Sequence, residues 1–234
     1  MVKSEISHAR LEELSRHKKS KKIISILSKF RDLKNCSILD IGTGSGHIIN
    51  DISKLCKSAS SVDLYDERMI KSGYSFKKID DEHLPFENNT FDIVISNHVI
   101  EHVPNQKLHL SEIYKVLKNN GILYLATPNK FWVIDPHHKL LFISWFPRKI
   151  SAFYLKTLKN KKWDIFPLSF GMLKRLTKNK FELNNLTIDI IKYPQKYTLD
   201  VMKKLQPLIK LIPVPLLRMF NPILPTYILI LKKK

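Results

Sequence analysis

The stretch SILDIGTGSGHIIN, residues 37–50, decides the fold. Its first five residues form a short apolar run that predicts a buried strand, and Gly42, Gly44 and Gly46 follow directly. Glycines at a strand-to-helix turn allow positive φ angles and a close approach of the backbone to a ligand. From His47 to Lys57 the apolar residues recur at helical spacing. The stretch therefore predicts a strand, a glycine turn and a helix, which suits any nucleotide-binding α/β protein.

Strands and helices continue to alternate along the rest of the chain. We predict strands at 37–41, 60–64, 74–79, 91–96, 121–126, 181–191 and 226–231, and helical spacing predicts helices at 107–118, 169–179 and 198–220. Strands that alternate with helices form a mostly parallel sheet covered on both faces. We therefore predict a Rossmann-like, doubly wound α/β fold with seven strands, an antiparallel last strand, and an inserted helical cap after the fifth strand.

Charge and composition divide the chain into three regions. The net charge is +19, with +6 in residues 1–36, −3 in residues 37–129 and +16 in residues 130–234. We predict amphipathic helices in residues 1–36, and one domain in residues 37–234 with a cap insertion at about 130–168. The basic flanks favour an anionic partner, which is a membrane surface, a phosphorylated substrate or nucleic acid. Lysine (33) far outnumbers arginine (7), so a lysine-rich background explains the charge equally well.

Cysteine count and hydropathy bear on the compartment. Cys36 and Cys56 are too few for a disulfide framework or a thiolate zinc cluster. No apolar run reaches about 18 residues, so we expect no spanning helix. The first twenty residues are polar and charged, unlike a signal peptide. The expected location is the cytoplasm, with peripheral contact at the inner membrane face.

Acidic and polar residues follow the predicted strands. A carboxylate at Asp40, just before the glycines, suits a ligand with a cationic amino-acid tail, or fixes the loop through backbone hydrogen bonds. Asp63, after the second strand, can accept both hydroxyls of a ribose. Asp80 or Asp81, after the third, can accept an adenine amino group. Ligands bind at the carboxyl ends of parallel strands, so these residues predict one nucleoside site.

The ordered set of motifs resembles the class I S-adenosylmethionine-dependent methyltransferases, in particular their quinone and small-molecule members. The matching phrases are ILDIGTGSGHI (38–48), SVDLYDERMI (61–70), DDEHLPFENNTFDIVISNHVIEHV (80–103) and LKNNGILYLATPN (117–129). The resemblance implies an enzyme that uses S-adenosyl-L-methionine as its cofactor. It further implies cofactor contacts from Asp40, Gly42, Gly44 and Gly46 (methionine end), Asp63 (ribose), Leu64 (adenosine), Asp80 and Asp81 (adenine), and Ser96, Asn97 and His98 (beneath the methyl donor).

Methyl transfer is an in-line displacement that depends mainly on positioning, and an oxygen nucleophile gains further from a general base. The candidate catalytic residues are His98, Glu101, His102 and His137. His98 is the better base candidate, since the Glu101-His102 pair recurs in the family as a structural feature. Some quinone and RNA-end methyltransferases bind a divalent ion through Glu-x-x-Glu-His. Here His98 stands at the first position, so no metal is predicted.

The segment TPNKFWVIDPHHKLLFISWFPRKI, residues 127–150, resembles a cap in methyltransferases encoded with surface-polysaccharide and glycolipid genes. It implies a substrate lid, and its aromatic and basic residues suit a membrane interface or the cap's own core. The favoured function is O-methylation of a small-molecule, glycan or lipid-linked acceptor. A nucleic-acid methyltransferase and a non-catalytic binding protein are the alternatives, although no Asn/Asp-Pro-Pro-Tyr motif is present. The oligomeric state is not predicted.

Overall fold

The computed structural model describes residues 2–197 and 206–234, with side chains from residue 15 onward. A single seven-stranded sheet forms its centre. The strands are β1 (Ser37–Ile41), β2 (Ser58–Asp63), β3 (Ser75–Lys78), β4 (Phe91–Asn97), β5 (Leu117–Pro128), β6 (Phe181–Asn185) and β7 (Thr226–Lys233). The helices are α1 (Val2–Leu27), α2 (His47–Ser53), α3 (Gln106–Val116), α4 (Arg148–Lys159), α5 (Phe170–Thr177), α6 (Thr187–Lys192), α7 (Gln206–Leu211) and α8 (Val214–Met219).

The strand order is β3-β2-β1-β4-β5-β7-β6. The strands from β3 to β5 are parallel, and β7 is antiparallel to both β5 and β6. This arrangement confirms the predicted fold class. The chain runs outward from β1 in one direction through β2 and β3, and in the other through β4 and β5. The order therefore reverses between β1 and β4, where ligands bind in open α/β sheets.

Each face of the sheet is covered by a hydrophobic core. Alternate residues of β1 point to opposite faces, so Ile38 joins one core and Leu39 the other. The first core includes Ile23, Ile26 and Leu27 from the end of α1, together with residues of α2 and α6. The second includes residues of α3 and α5. The end of α1 is thus part of the main core beside the strand that leads into the glycine loop.

The chain between β5 and α5 forms the cap. It begins and ends side by side, since the Lys130 amide donates to the Leu168 carbonyl at 3.0 Å. Inside it, α4 contributes to a small separate core of Ile143, Leu155, Trp163 and Ile165. The Arg148 guanidinium donates to the carbonyls of Trp163 and Ile165, at 3.0 Å each, and so ties the start of α4 to the end of the cap.

Two predicted elements differ in the structure. The strand predicted at 181–191 ends at Asn185, because the Asn185 side chain accepts a hydrogen bond from the Thr187 amide (3.0 Å) and α6 begins there. Of the helix predicted at 198–220, residues 198–205 lie outside the described residues. The rest forms α7 and α8, which are separated before Pro213, a residue without an amide hydrogen for a helical bond.

At the amino terminus, the predicted amphipathic helices correspond to the helix α1, whose side chains before residue 15 lie outside the described ones. Among the helices that the structure describes, none combines the length and the hydropathy needed to cross a membrane.

Candidate active site

The glycine loop, Gly42–Gly46, connects β1 to α2 at the switch point of the sheet. Its three glycines have φ angles of 76°, 50° and 83°, in the left-handed region that side chains disfavour. A Cβ atom on Gly42 would overlap the Val99 side chain, and one on Gly46 would overlap the Ile70 carbonyl. A Cβ atom on Gly44 would meet nothing within 4 Å. The lack of a side chain at Gly42 and Gly46 therefore allows Val99 and Ile70 to pack against the loop, whereas the space beside Gly44 is open.

Asp63, the last residue of β2, holds this loop in place. Its Oδ2 accepts a hydrogen bond from the Gly44 amide at 2.8 Å, and its Oδ1 accepts one from the Leu64 amide at 2.7 Å. Oδ1 also accepts a long hydrogen bond from the Tyr65 amide at 3.5 Å. Each carboxylate oxygen can accept two hydrogen bonds, so Oδ2 retains capacity for a further donor. The backbone amides thereby fix the carboxylate at the carboxyl end of β2.

A cavity of about 480 Å³ opens above the carboxyl ends of β1, β2 and β4, within the size range of small-molecule sites. Its lining includes these residues predicted from the sequence: Gly42, Gly44, Asp63, Leu64, Asp80, Asp81, His98 and His102. Four others predicted to contact the cofactor lie beside the cavity and outside its lining: Asp40, Gly46, Ser96 and Asn97. The structure thus brings most of the predicted cofactor residues to one space.

Asp40 lies behind the glycine loop and is 2% exposed. Burial raises its pKa well above the ordinary value, and the nearby charge of Asp63 raises the pKa further. A carboxyl group in this position favours its neutral form, which weakens its attraction for a ligand ammonium group. The contact predicted between Asp40 and the amino-acid end of a ligand stays a prediction.

The far side of the cavity begins where β4 ends. His98 has a φ angle of 60°, and its amide donates to the Ala126 carbonyl at 2.8 Å. Its Nδ1 lies 3.3 Å from Oε1 of Glu101, which is 1% exposed. The other oxygen of Glu101 accepts a hydrogen bond from Thr127 Oγ1 at 3.0 Å. A buried carboxylate is therefore held by β5 and faces an exposed histidine.

The cap adds His137 to this group. Its ring packs edge-on against His102, with ring centroids 4.8 Å apart, and its Nε2 lies 3.9 Å from Glu101 Oε1. Burial lowers the pKa of His137, and the charge of His102 lowers it further. His138 is turned away, with Nδ1 3.0 Å from Asp135 Oδ1. His137 is therefore the histidine through which the cap reaches Glu101.

Three of these residues could hold a metal ion. Within the described part of the chain, Glu101, His102 and His137 form one group of donors whose atoms lie within 4.8 Å of one another. The motif comparison in the sequence aligned His98, Glu101 and His102 with a metal-binding pattern. Residues Ile100–His102 instead form a 3₁₀ turn that His98 precedes, and His137 arrives from the cap.

Comparison with known proteins gives the site its family. Residues 39–125, which contain the glycine loop, β2 to β4 and most of β5, match the model of a family described as a methyltransferase domain. The match supports a class I S-adenosylmethionine-dependent methyltransferase domain in this part of the chain. Ubiquinone biosynthesis O-methyltransferase of Pelagibacter ubique is 28% identical to it over 117 residues, 47% of this chain and 49% of the relative. Arsenite methyltransferase of Mus musculus is 33% identical over 116 residues, 40% of this chain and 31% of the relative.

Solved structures agree with the methyltransferase fold over a longer part of the chain. The YcgJ protein of Bacillus subtilis superposes with a TM-score of 0.56 at 16% identity, covering 92% of this chain and 97% of that one. An S-adenosylmethionine-dependent methyltransferase of Mesorhizobium loti gives 0.57 at 12% identity, with coverage of 87% and 93%. The chain spans about half the length of the first relatives it matches by sequence.

Residues that the sequence did not single out also line the cavity. His109, on α3, lines the cavity, and its Nε2 lies 3.2 Å from Ser96 Oγ. Val99, Val103 and Pro104 line the same side. The helical spacing of α3 already places position 109 beside Leu110 and Ile113 on the core-facing side, which is the one signal that could have marked it.

We expect His109 to make the stability of the methyltransferase domain depend on pH. Burial lowers its pKa from 6.5 to about 4, so below pH 6.5 the unfolded chain takes up a proton that the folded chain does not. Folding should therefore weaken by about 2 kcal/mol between pH 7 and pH 5 from this group alone. Urea unfolding at both pH values should show a smaller difference in His109→Gln. The exposed-histidine control His83→Gln should keep the full difference, and an unchanged difference in His109→Gln would contradict the assignment.

Proposed function

We propose that the chain binds S-adenosylmethionine in the 480 Å³ cavity and transfers its methyl group to an oxygen of a small-molecule, glycan or lipid-linked acceptor. The observation that carries the proposal is the link between Asp63 and the Gly44 amide at the mouth of that cavity. It combines an open backbone position with a fixed carboxylate, which is the pair that a nucleoside bearing an amino-acid tail requires.

In this proposal each side of the cavity has a task. Asp63 accepts the ribose hydroxyls, Leu64 packs on the adenosine, and Asp80 or Asp81 accepts the adenine amino group. The open side of Gly44 leaves room for the methionine end. The cofactor supplies the methyl group, and the sulfonium carries the positive charge that the transfer neutralises. The chain contributes position and the exclusion of water.

The acceptor occupies the side between β4 and the cap. We propose residues 130–168 as a substrate lid, and His98, Glu101, His102 and His137 as the groups around the acceptor oxygen. The lowered pKa of His137 keeps its imidazole neutral near pH 7, the form that can take a proton. The hydrogen bond from Thr127 to Glu101, at 3.0 Å, keeps the carboxylate aimed toward these histidines.

Calorimetry with S-adenosylhomocysteine tests the cofactor, and methyl transfer from a labelled cofactor to phenols, sugars and lipid-linked glycans tests the acceptor. We expect saturable binding at one site and transfer to one of these classes. Absence of binding would refute the enzyme function. Binding without transfer to any class would favour the non-catalytic alternative, and transfer to RNA at physiological salt would favour the nucleic-acid alternative.

We also propose that the cap contacts anionic membrane at the inner face. The exposed side of α4 carries Ile150, Phe153 and Leu158, with Phe153 72% exposed, and lysines flank it. Apolar side chains among lysines suit the interface of a bilayer with acidic headgroups. The wild-type protein should sediment with phosphatidylglycerol vesicles at low salt and less with phosphatidylcholine vesicles.

The Phe153→Ser variant should lose most of the sedimentation with phosphatidylglycerol vesicles. The matched control Leu55→Ser changes an exposed leucine at the end of α2 and should keep it. Equal loss in both variants, or no sedimentation of the wild type, would contradict the membrane proposal.

A further inference from the structure

A second cavity, of about 550 Å³, lies at the carboxyl end of β6 between α5, α6 and α8. We call it the basic pocket and define it by Lys174, Lys192, Arg218, Asn184, Asn185 and Asn221. It is as large as the cofactor cavity, and neither the proposed cofactor nor the proposed lid uses it. Its function must therefore be inferred from the charges and surfaces that line it.

Three cations face the basic pocket. Lys192 is 8% exposed, and its Nζ donates to one backbone carbonyl, that of Ile212, at 2.9 Å. A lysine in a largely buried position gains from an opposite charge beside its ammonium group. Among the described residues, no carboxylate forms an ion pair with Lys174, Lys192 or Arg218. The pocket therefore holds positive charge that the described chain does not neutralise.

One acid, Asp189, also lines the basic pocket. Its Oδ2 accepts a hydrogen bond from the Tyr197 hydroxyl, which occupies part of the carboxylate. Three cations against one carboxylate leave a net charge of +2 in the lining. The charge of the lining thus favours an anionic ligand, and a ligand with more than one negative charge would be attracted more strongly.

The remaining lining narrows the chemistry of the ligand. Asn184, Asn185 and Asn221 offer neutral amide groups, and the Asn185 Nδ2 donates to Asn221 Oδ1 at 3.0 Å. Apolar side chains of Phe170, Ile188 and Val214 complete the walls. An inorganic anion would leave these apolar walls without a contact. The lining fits a phosphate group joined to an organic group.

The position of the basic pocket relates it to the cofactor cavity. Strands β5 and β6 are both antiparallel to β7 and therefore run in the same direction. The carboxyl end of β6 thus lies at the same edge of the sheet as the carboxyl ends of β1 and β4. Three strand spacings separate β4 from β6, about 14 Å. A ligand that spans both cavities would therefore have to be at least about that long.

We propose that the basic pocket binds the phosphate or diphosphate group of an organic ligand. The assignment of that ligand as the methyl acceptor rests on the proposed function. The assignment of the basic pocket as a phosphate site is independent of that function. The expected ligand carries its phosphate at one end and its methyl-accepting oxygen about 14 Å away.

Calorimetry at low salt with geranyl diphosphate and inorganic diphosphate tests the basic pocket. We expect both to bind, with geranyl diphosphate the tighter because it also covers the apolar walls. The double variant Lys174→Gln/Arg218→Gln should bind geranyl diphosphate at least about tenfold more weakly. Both side chains are exposed, so the variant is expected to fold.

The control is the double variant Arg175→Gln/Lys178→Gln, which removes the same charge from exposed positions outside the pocket. It should bind geranyl diphosphate within about twofold of the wild type. No binding by the wild type, or equal weakening in both double variants, would overturn the proposal. Competition by phosphatidic acid vesicles would support a lipid headgroup as the source, and its absence would support a soluble phosphate.

Binding of S-adenosylhomocysteine separates this proposal from the proposed function. The Lys174→Gln/Arg218→Gln variant should bind it as the wild type does. If the wild-type protein binds geranyl diphosphate but not S-adenosylhomocysteine, the result would support the basic pocket as a phosphate site. The same result would refute the proposed methyltransferase activity.

Discussion

Asp63→Asn is expected to weaken the binding of S-adenosylhomocysteine by at least about 100-fold. The carboxylate accepts hydrogen bonds from the Gly44 and Leu64 amides at 2.8 and 2.7 Å. The asparagine amide would turn an NH₂ group toward one of these donors and would lose the charge that strengthens the other. Hydrogen bonds to a charged group contribute about 1.5–3 kcal/mol each, and every 1.4 kcal/mol is about tenfold in affinity.

Calorimetry with the purified variant measures this loss, and circular dichroism checks that the fold survives. The matched control is Glu182→Gln, the same loss of a carboxylate charge at an exposed position on the edge strand β6. It should bind with wild-type affinity. If the Asp63→Asn variant folds and its affinity for S-adenosylhomocysteine stays within about threefold of the wild type, the ligand does not contact this carboxylate.

Gly46→Ala is expected to lower the free energy of unfolding by about 3 kcal/mol or more. A side chain at a φ angle of 83° costs about 1–2 kcal/mol from strain alone. The new Cβ atom would also overlap the Ile70 carbonyl and the Tyr74 hydroxyl, which already hydrogen-bond each other. Because Ile70 is backbone at this contact, relief requires movement of the chain that packs over the loop.

Two other glycines serve as controls in the same urea unfolding experiment. Gly44→Ala has the positive φ angle but no overlap, so it should cost only about 1–2 kcal/mol and mainly reduce cofactor binding. Gly171→Ala lies in α5 with nothing within 4 Å, and should stabilise by about 0.5–1 kcal/mol. Equal losses for Gly44→Ala and Gly46→Ala would mean that strain, not packing, limits the loop.

Local patterns were enough to predict the sheet and most of the residues that share the 480 Å³ cavity. Gly44 and Asp63 each stand at or just after the carboxyl end of a strand, and parallel strands bring such ends together whatever the details of packing. The strand predicted at 181–191 was too long because Ile188 and Ile190 are β-branched in a helix, where tertiary packing overrides propensity. The hydrogen bond to Asn185 that ends β6 leaves no mark in the spacing of apolar residues, so the sequence pattern could not predict it.

The side of the cavity between β4 and the cap was harder to predict from the sequence. His137 meets Glu101 only because the cap folds back across the end of β5, a contact between residues far apart in the chain. His109 lines the cavity through the packing of α3, and a histidine on an apolar helical face resembles an ordinary core residue. The basic pocket likewise unites residues of α5, β6, α6 and α8 whose proximity depends on the antiparallel β7.

The side-by-side start and end of the cap, joined at Lys130 and Leu168, have an evolutionary consequence. A segment that leaves and re-enters the sheet at neighbouring positions can be lengthened, shortened or exchanged without altering strand order or register. The strands that shape the cofactor cavity would be preserved through such an exchange, while the surface presented by Phe153 and His137 would change. Under the proposed function, such an exchange would change the selectivity for the acceptor and leave the cofactor cavity as it is.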